Sequence, residues 1–559
     1  MNFIHGSSKT IASAAFLLAC AALASRVLGL LRDRILAGKF GASDELDIYF
    51  AAFRVPDLLY NIVIAGAISA AFVPVFISLY AQSKQEAWRV ASNFLNISII
   101  ALVVVGAVLV VAAPLLVHII APGFDDAKMA ATVLATRIMF LSPLLLGASA
   151  IFGGILHSFK RFLAYAFAPL FYNIGIIFGA IFLTGPFGVY GLALGVVVGS
   201  LLHFMIQVPS VFFSGFSWQS IVSLRDKHFR KIFFLMVPRS FGLAIFQLNL
   251  WVITAIASLL PVGSIAIFNF ANHLQFMVVG IIGYSFSTAA MPSFAEYVSR
   301  ANTKKFARQF LKTVRTVLFF VVPLSVLMFI LRAHVVRLVL GSGEFSWDDT
   351  RLTAAALGIF CFGIFAHSLI PTFSKAFYAM QNTKTPVFVN SVGFFINIGL
   401  SLFFVFVLFK DPQASGFVPR LLDMEGIENI ALLGLPLAFT ISGIVNLKML
   451  VFALSRRMKG FGMFSIWFEG LKIVLASVIS GLISYGVLYL AEPFFDTQTV
   501  LGLFFQTVVA GISGTVAYIV LMFALRSPEL FSLTRFFKRK LLVHPYEHHP
   551  NGRKGGLGY

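Results

Sequence analysis

The sequence predicts an all-α polytopic membrane protein of about 14 transmembrane helices: two parallel six-helix lobes followed by two extra C-terminal helices. Three observations predict it. Hydrophobic residues make up 59% of the 559 and charged residues 11%, where soluble domains carry about 25% charge. Apolar runs of spanning length recur along the whole chain. The runs of the first half are echoed, six helices later, by those of the second.

The runs lie near 11–36, 46–80, 91–120, 131–156, 162–184, 187–213, 232–260, 263–298, 313–341, 352–380, 386–409, 428–455, 464–491 and 498–525. Each reaches the roughly 20 residues that a helix needs to cross the hydrocarbon core. An even number returns the chain to the side on which it began. Charge selects that side. One set of alternate loops, with the C-terminal tail, holds 26 Lys and Arg, and the opposite set holds 9. By the positive-inside rule both termini are cytoplasmic. The net charge of +20 is spread between apolar runs, so it reads as a membrane signature and no nucleic-acid partner is expected.

The echo is local but ordered. His157-Ser-Phe-Lys160 and Asn173-Ile-Gly175 recur 224 positions on as Gln381-Asn-Thr-Lys384 and Asn397-Ile-Gly399, and Pro74-Val-Phe76 recurs as Pro292-Ser-Phe294. A shift of six helices keeps orientation, so the repeats are parallel, related by an axis along the membrane normal. The expected domains are 1–230 (helices 1–6), 231–457 (helices 7–12), 458–526 (helices 13 and 14) and a basic cytoplasmic tail, 527–559. Prolines bend helices, so Pro56, Pro74 and Pro292 mark helices two and eight as moving elements. Glycines at spacing four, Gly175 and Gly179 with Gly191, Gly195 and Gly199, read as helix-packing surfaces. In the tail, Glu529 to Lys540 is amphipathic and basic, suited to anionic membrane lipids.

Charge concentrates where a spanning protein normally excludes it. Arg26, Arg32, Asp33, Arg34, Asp47, Arg54 and Asp57 sit beside long apolar runs in the first two helices. Such residues face one another or a water-filled cavity, and by default they mark a functional path. The structural alternative is local pairing, as between Arg54 and Asp57, three apart on one helical face, with Arg32 and Asp33 at the membrane surface. Arg26 fits that alternative least, lying about fifteen residues into its helix.

No phosphate-binding P-loop, HExxH, CxxC or nucleophile elbow is present, so no enzymatic activity, metal or cofactor is expected. Cys20 and Cys361 each lie in an apolar run and imply no disulfide framework. A cation-lined cavity between two parallel halves suggests transport of an anion.

The opening segment resembles a known family. Ser25-Arg26-Val27-Leu28-Gly29, Arg32-Asp33, Asp47, Phe53-Arg54-Val55-Pro56-Asp57-Leu58-Leu59 and Ala71-Phe72-Val73-Pro74 are similar to the start of the MurJ (MviN) lipid II flippases, of the multidrug/oligosaccharidyl-lipid/polysaccharide (MOP) exporter superfamily. The likeness spans roughly residues 10 to 525. It implies V-shaped lobes, with the last two helices forming a groove for the lipid tail. It also implies a bacterial inner-membrane flippase that carries lipid II, the undecaprenyl-pyrophosphate-linked peptidoglycan precursor, to the outer leaflet. The driving force would be membrane potential or an ion gradient, and a monomer suffices. A flippase for another polyprenyl-pyrophosphate glycan, O-antigen or capsule, is the alternative, followed by a cation-coupled drug exporter.

The resemblance implies substrate contacts from Arg26, Arg32 and Arg54, because the guanidinium fork suits pyrophosphate. Asp47 and Asp33, which cannot bind an anion, are expected to orient an arginine or form a gate pair. This chain departs from the family in three places. Tyr60, Asn61 and Ala65 replace a basic pair and a glutamate. His273 replaces the cavity arginine of the eighth helix, either as a pyrophosphate contact or as a neutral core histidine. The second-lobe acids that bind sodium in some members are absent. Asn249, Asn390 and Asn397 are left as candidate ion ligands or as inter-helix hydrogen-bonding groups.

Overall fold

The computed structural model describes residues 11–62, 72–409, 429–458 and 463–531. Among them every regular element is helical. The chain opens with α1 (Ile11–Phe40) and turns into α2 (Asp44–Tyr60) and α3 (Val73–Gln82). Then come α4 (Lys84–Val111), α5 (Ala113–Ile120), α6 (Asp126–Met139), α7 (Leu141–Ser158), α8 (Phe162–Phe178) and α9 (Tyr190–Met205). The second half comprises α10 (Lys227–Ser258), α11 (Ser264–Val278), α12 (Ser285–Ser299), α13 (Thr303–Ile330) and α14 (Arg332–Val339). It continues with α15 (Trp347–Cys361), α16 (Ile364–Ala379), α17 (Lys384–Phe403) and α18 (Gly434–Arg457), and the last two helices are α19 (Met463–Ala491) and α20 (Val500–Ala524).

Ten helices among the described residues are long and apolar enough to span a membrane, or eleven counting α15 and α16, a pair bent by 46°. The protein is therefore a multi-pass membrane protein. The other three predicted runs coincide with α1, with α2 and α3 on either side of residues 63–71, and with α10. The basic segment expected after Ser527 lies outside the described residues from position 532 onward.

The glycine rows pack as their spacing predicts. A Cβ on Gly175 would stand 2.2 Å from the Gly199 Cα, and one on Gly179 would stand 2.3 Å from the Gly195 Cα. α8 and α9 are thus in backbone contact, a fit that larger residues forbid. Helix eight is a composite: α11 passes through a π-helical segment, Val279–Tyr284, into α12, which contains Pro292. π-segments and prolines are the usual causes of a helix break, and both lie in this helix next to the site described below.

α19 and α20 pair through Ser480 Oγ, which donates to the Gly514 carbonyl at 2.9 Å, and Ser484 Oγ, which donates to Ala510 at 2.8 Å. The pair docks on α13, where the Tyr518 hydroxyl donates to the Phe319 carbonyl at 2.8 Å. Their outer faces are strongly apolar and exposed, as at Leu482, Leu490, Leu501 and Phe523. Buried hydroxyls returned to backbone carbonyls are the cheapest way to carry polar groups in such a helix.

The segment joining the two halves is laced onto α4. The Asn93 side chain both donates to the Ser223 carbonyl (3.0 Å) and accepts its N–H (2.7 Å). Asn96 donates to the carbonyls of Gln219 and Ile221, both at 2.9 Å, and accepts the Trp218 indole N–H at 2.9 Å. Arg89 ties Asp226, itself the N-cap of α10, at 2.9 Å.

Candidate functional site

α1 and α2 meet the second half at the end of the molecule that holds the α1–α2 turn. Arg34 donates to the Leu338 carbonyl at 2.5 Å, and the Glu344 N–H donates to Gly38 at 2.9 Å. The turn before α11 is as tight. Gly263 has φ +82°, and a Cβ there would lie 2.2 Å from the Ala42 carbonyl oxygen. Glycine is needed both for that backbone and for that approach.

Asp47 closes the junction. Its Oδ2 accepts the N–H of Gly263 at 2.9 Å and its Oδ1 accepts that of Ala266 at 3.0 Å. It therefore caps α11 from the opposite half of the chain. Lys128 reaches the same carboxylate at 3.3 Å and also pairs with Asp44. The partners of Asp47 are thus two backbone amides of the second half and one lysine of the first.

From that cap a row of contacts runs down one face of helix eight. Arg54 donates from Nε to Thr254 Oγ1 at 2.8 Å and from Nη2 to Asn269 Oδ1 at 2.9 Å. The alternative pairing of Arg54 with Asp57 does not occur: Arg54 crosses to the second half, where two neutral oxygens stand at fork distance. Four residues beyond Asn269, His273 Nδ1 lies 3.0 Å from Asp33 Oδ2. Asp33 also binds Arg32, whose Nε and Nη2 donate to Oδ1 at 3.0 and 2.8 Å. Arg32 Nη1 donates further to Asn173 Oδ1 at 3.1 Å. Arg32 and Asp33 are thus not membrane-surface groups; Asp33 is only 3% exposed. Seven residues beyond His273, the Arg26 guanidinium rests on Gly280, where a Cβ would stand 2.3 Å from Nη2.

Positions 269, 273 and 280 share one helical face. At 1.5 Å per residue the row is about 16 Å long. Three arginines from α1 and α2 are therefore lined up between the halves, and their states differ. Arg54 is spent on neutral partners and Arg32 on Asp33 and Asn173. Arg26 has no hydrogen-bond or ion-pair partner among the described residues. His273 is not a core histidine, since its side chain is 35% exposed and its Nδ1 meets a carboxylate. Phe50 holds the ring edge-on at 6.0 Å.

The three amides weighed as ion ligands sit elsewhere in the second half. Asn397 donates to Asn249 at 2.7 Å and Asn446 donates to Asn390 at 3.0 Å. These pairs are two turns apart on α17, about 10 Å, and each is an inter-helix hydrogen bond, with the Asn446 Oδ1 left without a partner among the described residues. Sequence reasoning missed Lys128, Asn173, Thr254, Asn269 and Gly280. Asn173 stood out only as part of the repeat, and Lys128 only as one charge on the less basic side.

The fold is that of solved transporters of the MOP superfamily. A solved inward-facing multidrug resistance MATE family transporter of that superfamily shares the fold, with TM-score 0.61 and 13% identity, over 78% of this chain and 96% of its own. The chain belongs to the lipid II flippase MurJ family, whose model matches residues 36–510. A probable lipid II flippase MurJ of Borreliella burgdorferi is 27% identical over 471 residues, covering 84% of this chain and 88% of its own. A solved lipid II flippase MurJ in an inward closed conformation shares the fold with TM-score 0.72 at 24% identity, over 94% of this chain and 99% of that one.

Proposed function

We propose that this protein moves lipid II from the cytoplasmic to the outer leaflet of the bacterial inner membrane by alternating access. The observation that carries the reading is the arginine row, and within it Arg26, a guanidinium held in place with its donors unspent. A pyrophosphate dianion entering between the halves supplies what Arg26 lacks and competes with Asp33 for Arg32. Charge-assisted, bidentate contacts of this kind are the strong ones. His273 adds a second-half contact, and Asp33 orients it together with Arg32.

In this reading residues 1–230 and 231–457 are the moving lobes, and helices in 458–526 offer the lipid tail a groove along their apolar faces. The basic tail after position 526 meets anionic lipids of the inner leaflet. Both termini are cytoplasmic, so the Asp47 junction is the outer gate, here closed. The role is transport without covalent chemistry, and a monomer is sufficient. An inside-negative potential favours outward movement of a net negative headgroup by about 2.3 kcal/mol per charge per 100 mV.

The test is translocation of lipid II by the purified protein in liposomes, read by its accessibility from outside, with other polyprenyl-pyrophosphate glycans as competitors. Flipping that is lost in Arg26→Ala supports the reading. Absence of flipping by the intact protein under every imposed potential overturns it.

A further inference from the structure

Beyond the first turn of α2, Asp57 is the one charged group of the helix that the site leaves unexplained. It lines a small recess, partly open to solvent, with Phe53, Pro56 and Tyr60 of α2, Met139 of α6, Ser142, Pro143 and Leu146 of α7, and Val196 of α9. Its carboxylate has no hydrogen-bond or ion-pair partner among the described residues. The polar side-chain atoms of the recess are the Asp57 carboxylate and the hydroxyls of Tyr60 and Ser142, the last paired with Ser200 Oγ at 2.6 Å; the rest is apolar carbon and the Met139 thioether. A carboxylate flanked by hydroxyl oxygens in a small space suits a hard, singly charged guest.

The natural partner of Asp57 is one turn away and engaged elsewhere. Arg54 is spaced to pair with it on one helical face, yet its fork is docked on Thr254 and Asn269 of the second half. Those two acceptors are available only while the halves touch at this end. Once they part, Arg54 loses both, and the nearest anionic group is Asp57.

We propose that Asp57 binds a small monovalent cation, a proton or a sodium ion, while Arg54 is docked across the junction, and gives it up to Arg54 when the halves separate. The cation and Arg54 then compete for one carboxylate. Cation binding favours the closed junction, and closing the junction raises the affinity for the cation, because such coupling is reciprocal. Proton uptake turns the carboxylate into a neutral acid, and release returns the proton to solvent as Arg54 restores neutrality. The proposal rests on the alternating-access reading. It places the coupling ion in the first half, away from the Asn249 and Asn397 pair.

Other groups face the same region. Tyr49 and Tyr60 of α2 and Tyr172 of α8 lie within electrostatic reach of Asp57, and α6, α7 and α9 add no charge to the recess. His273 with Asp33, and Asp47 with Lys128, also lie between the halves, so a pH response has to be assigned by variant.

The experiment uses the full chain with Cys20 and Cys361 replaced by alanine and spin labels on Glu45→Cys and Asp348→Cys, both exposed beside the junction. Distances are measured by pulsed electron spin resonance in lipid nanodiscs. The buffers are pH 5.5 and pH 8, each with sodium chloride or choline chloride. The closed population should rise about fivefold or more at low pH if the guest is a proton, or in sodium at fixed pH if it is sodium. Asp57→Asn should abolish the response and remain mostly closed, while Asp57→Glu and His273→Gln keep it. A response of equal size in Asp57→Asn, or none in the parent while lipid II still opens the junction, overturns this proposal and leaves the flippase reading intact. Labels that hold one distance under every condition, lipid II included, overturn both.

Discussion

Gly263 donates its backbone N–H to the Asp47 carboxylate at 2.9 Å, joining the first turn of α2 to the first turn of α11. Two helix N-termini face each other there, and their positive dipole ends repel unless an anion lies between them. Asp47→Asn removes that anion and leaves one acceptor oxygen for two N–H groups. The closed state should lose about 1–3 kcal/mol, a shift of roughly tenfold in the closed-to-open ratio, read from the same label pair. Lipid II binding should persist while transport slows. Loss of binding as well would show that Asp47 acts on the ligand.

Arg26→Ala and Arg32→Ala should each lower lipid II flipping by about tenfold or more, the scale of one lost charge-assisted contact. Lysine at either position should restore part of it, because the charge remains while the fork is lost. Initial rates in liposomes, at matched protein incorporation, check this. Full activity in Arg26→Ala would make Arg26 a packing residue.

Gly280→Ala should reproduce much of the Arg26→Ala defect without touching any charge. A Cβ at 2.3 Å from Nη2 forces the guanidinium off its seat. The diagnostic is non-additivity: residues that act as one unit do not sum, so the double variant should be no worse than Arg26→Ala alone. An additive loss in properly folded protein would mean that Gly280 acts independently of Arg26.

His273→Arg should keep lipid II binding, because guanidinium still offers donors at this place in helix eight. His273→Ala should weaken binding by about tenfold, the scale of one lost charge-assisted contact. Equilibrium binding to the folded variants decides it. Parent-like binding in the alanine variant would return His273 to the packing.

The lengths and order of the helices were legible because each depends on composition over some twenty consecutive residues. The glycine rows were legible for a similar reason: their spacing is local, and the contact between α8 and α9 follows from it. The arginines were legible as misfits in an apolar setting. Their partners were not. Thr254 and Asn269 lie 200 and 215 positions from Arg54, and no local pattern distinguishes them from other buried polar residues. For the same reason the only partner that sequence could offer Arg54 was Asp57, its nearest opposite charge. Gly280 had no signal at all, since its role is the absence of a side chain opposite Arg26.

The lacing of residues 218–226 onto α4 fixes how much slack the two halves have. Nine free residues would form a leash of about 30 Å at full extension. Tied down by Asn93, Asn96 and Arg89, that length is cancelled, and the tether is as short as the step from Asp226 into α10. In the proposed alternating-access cycle the halves would tilt about this point without drifting apart. Each swing of the second half would then follow the same arc, returning the arginine row to its stripe on helix eight in the same register.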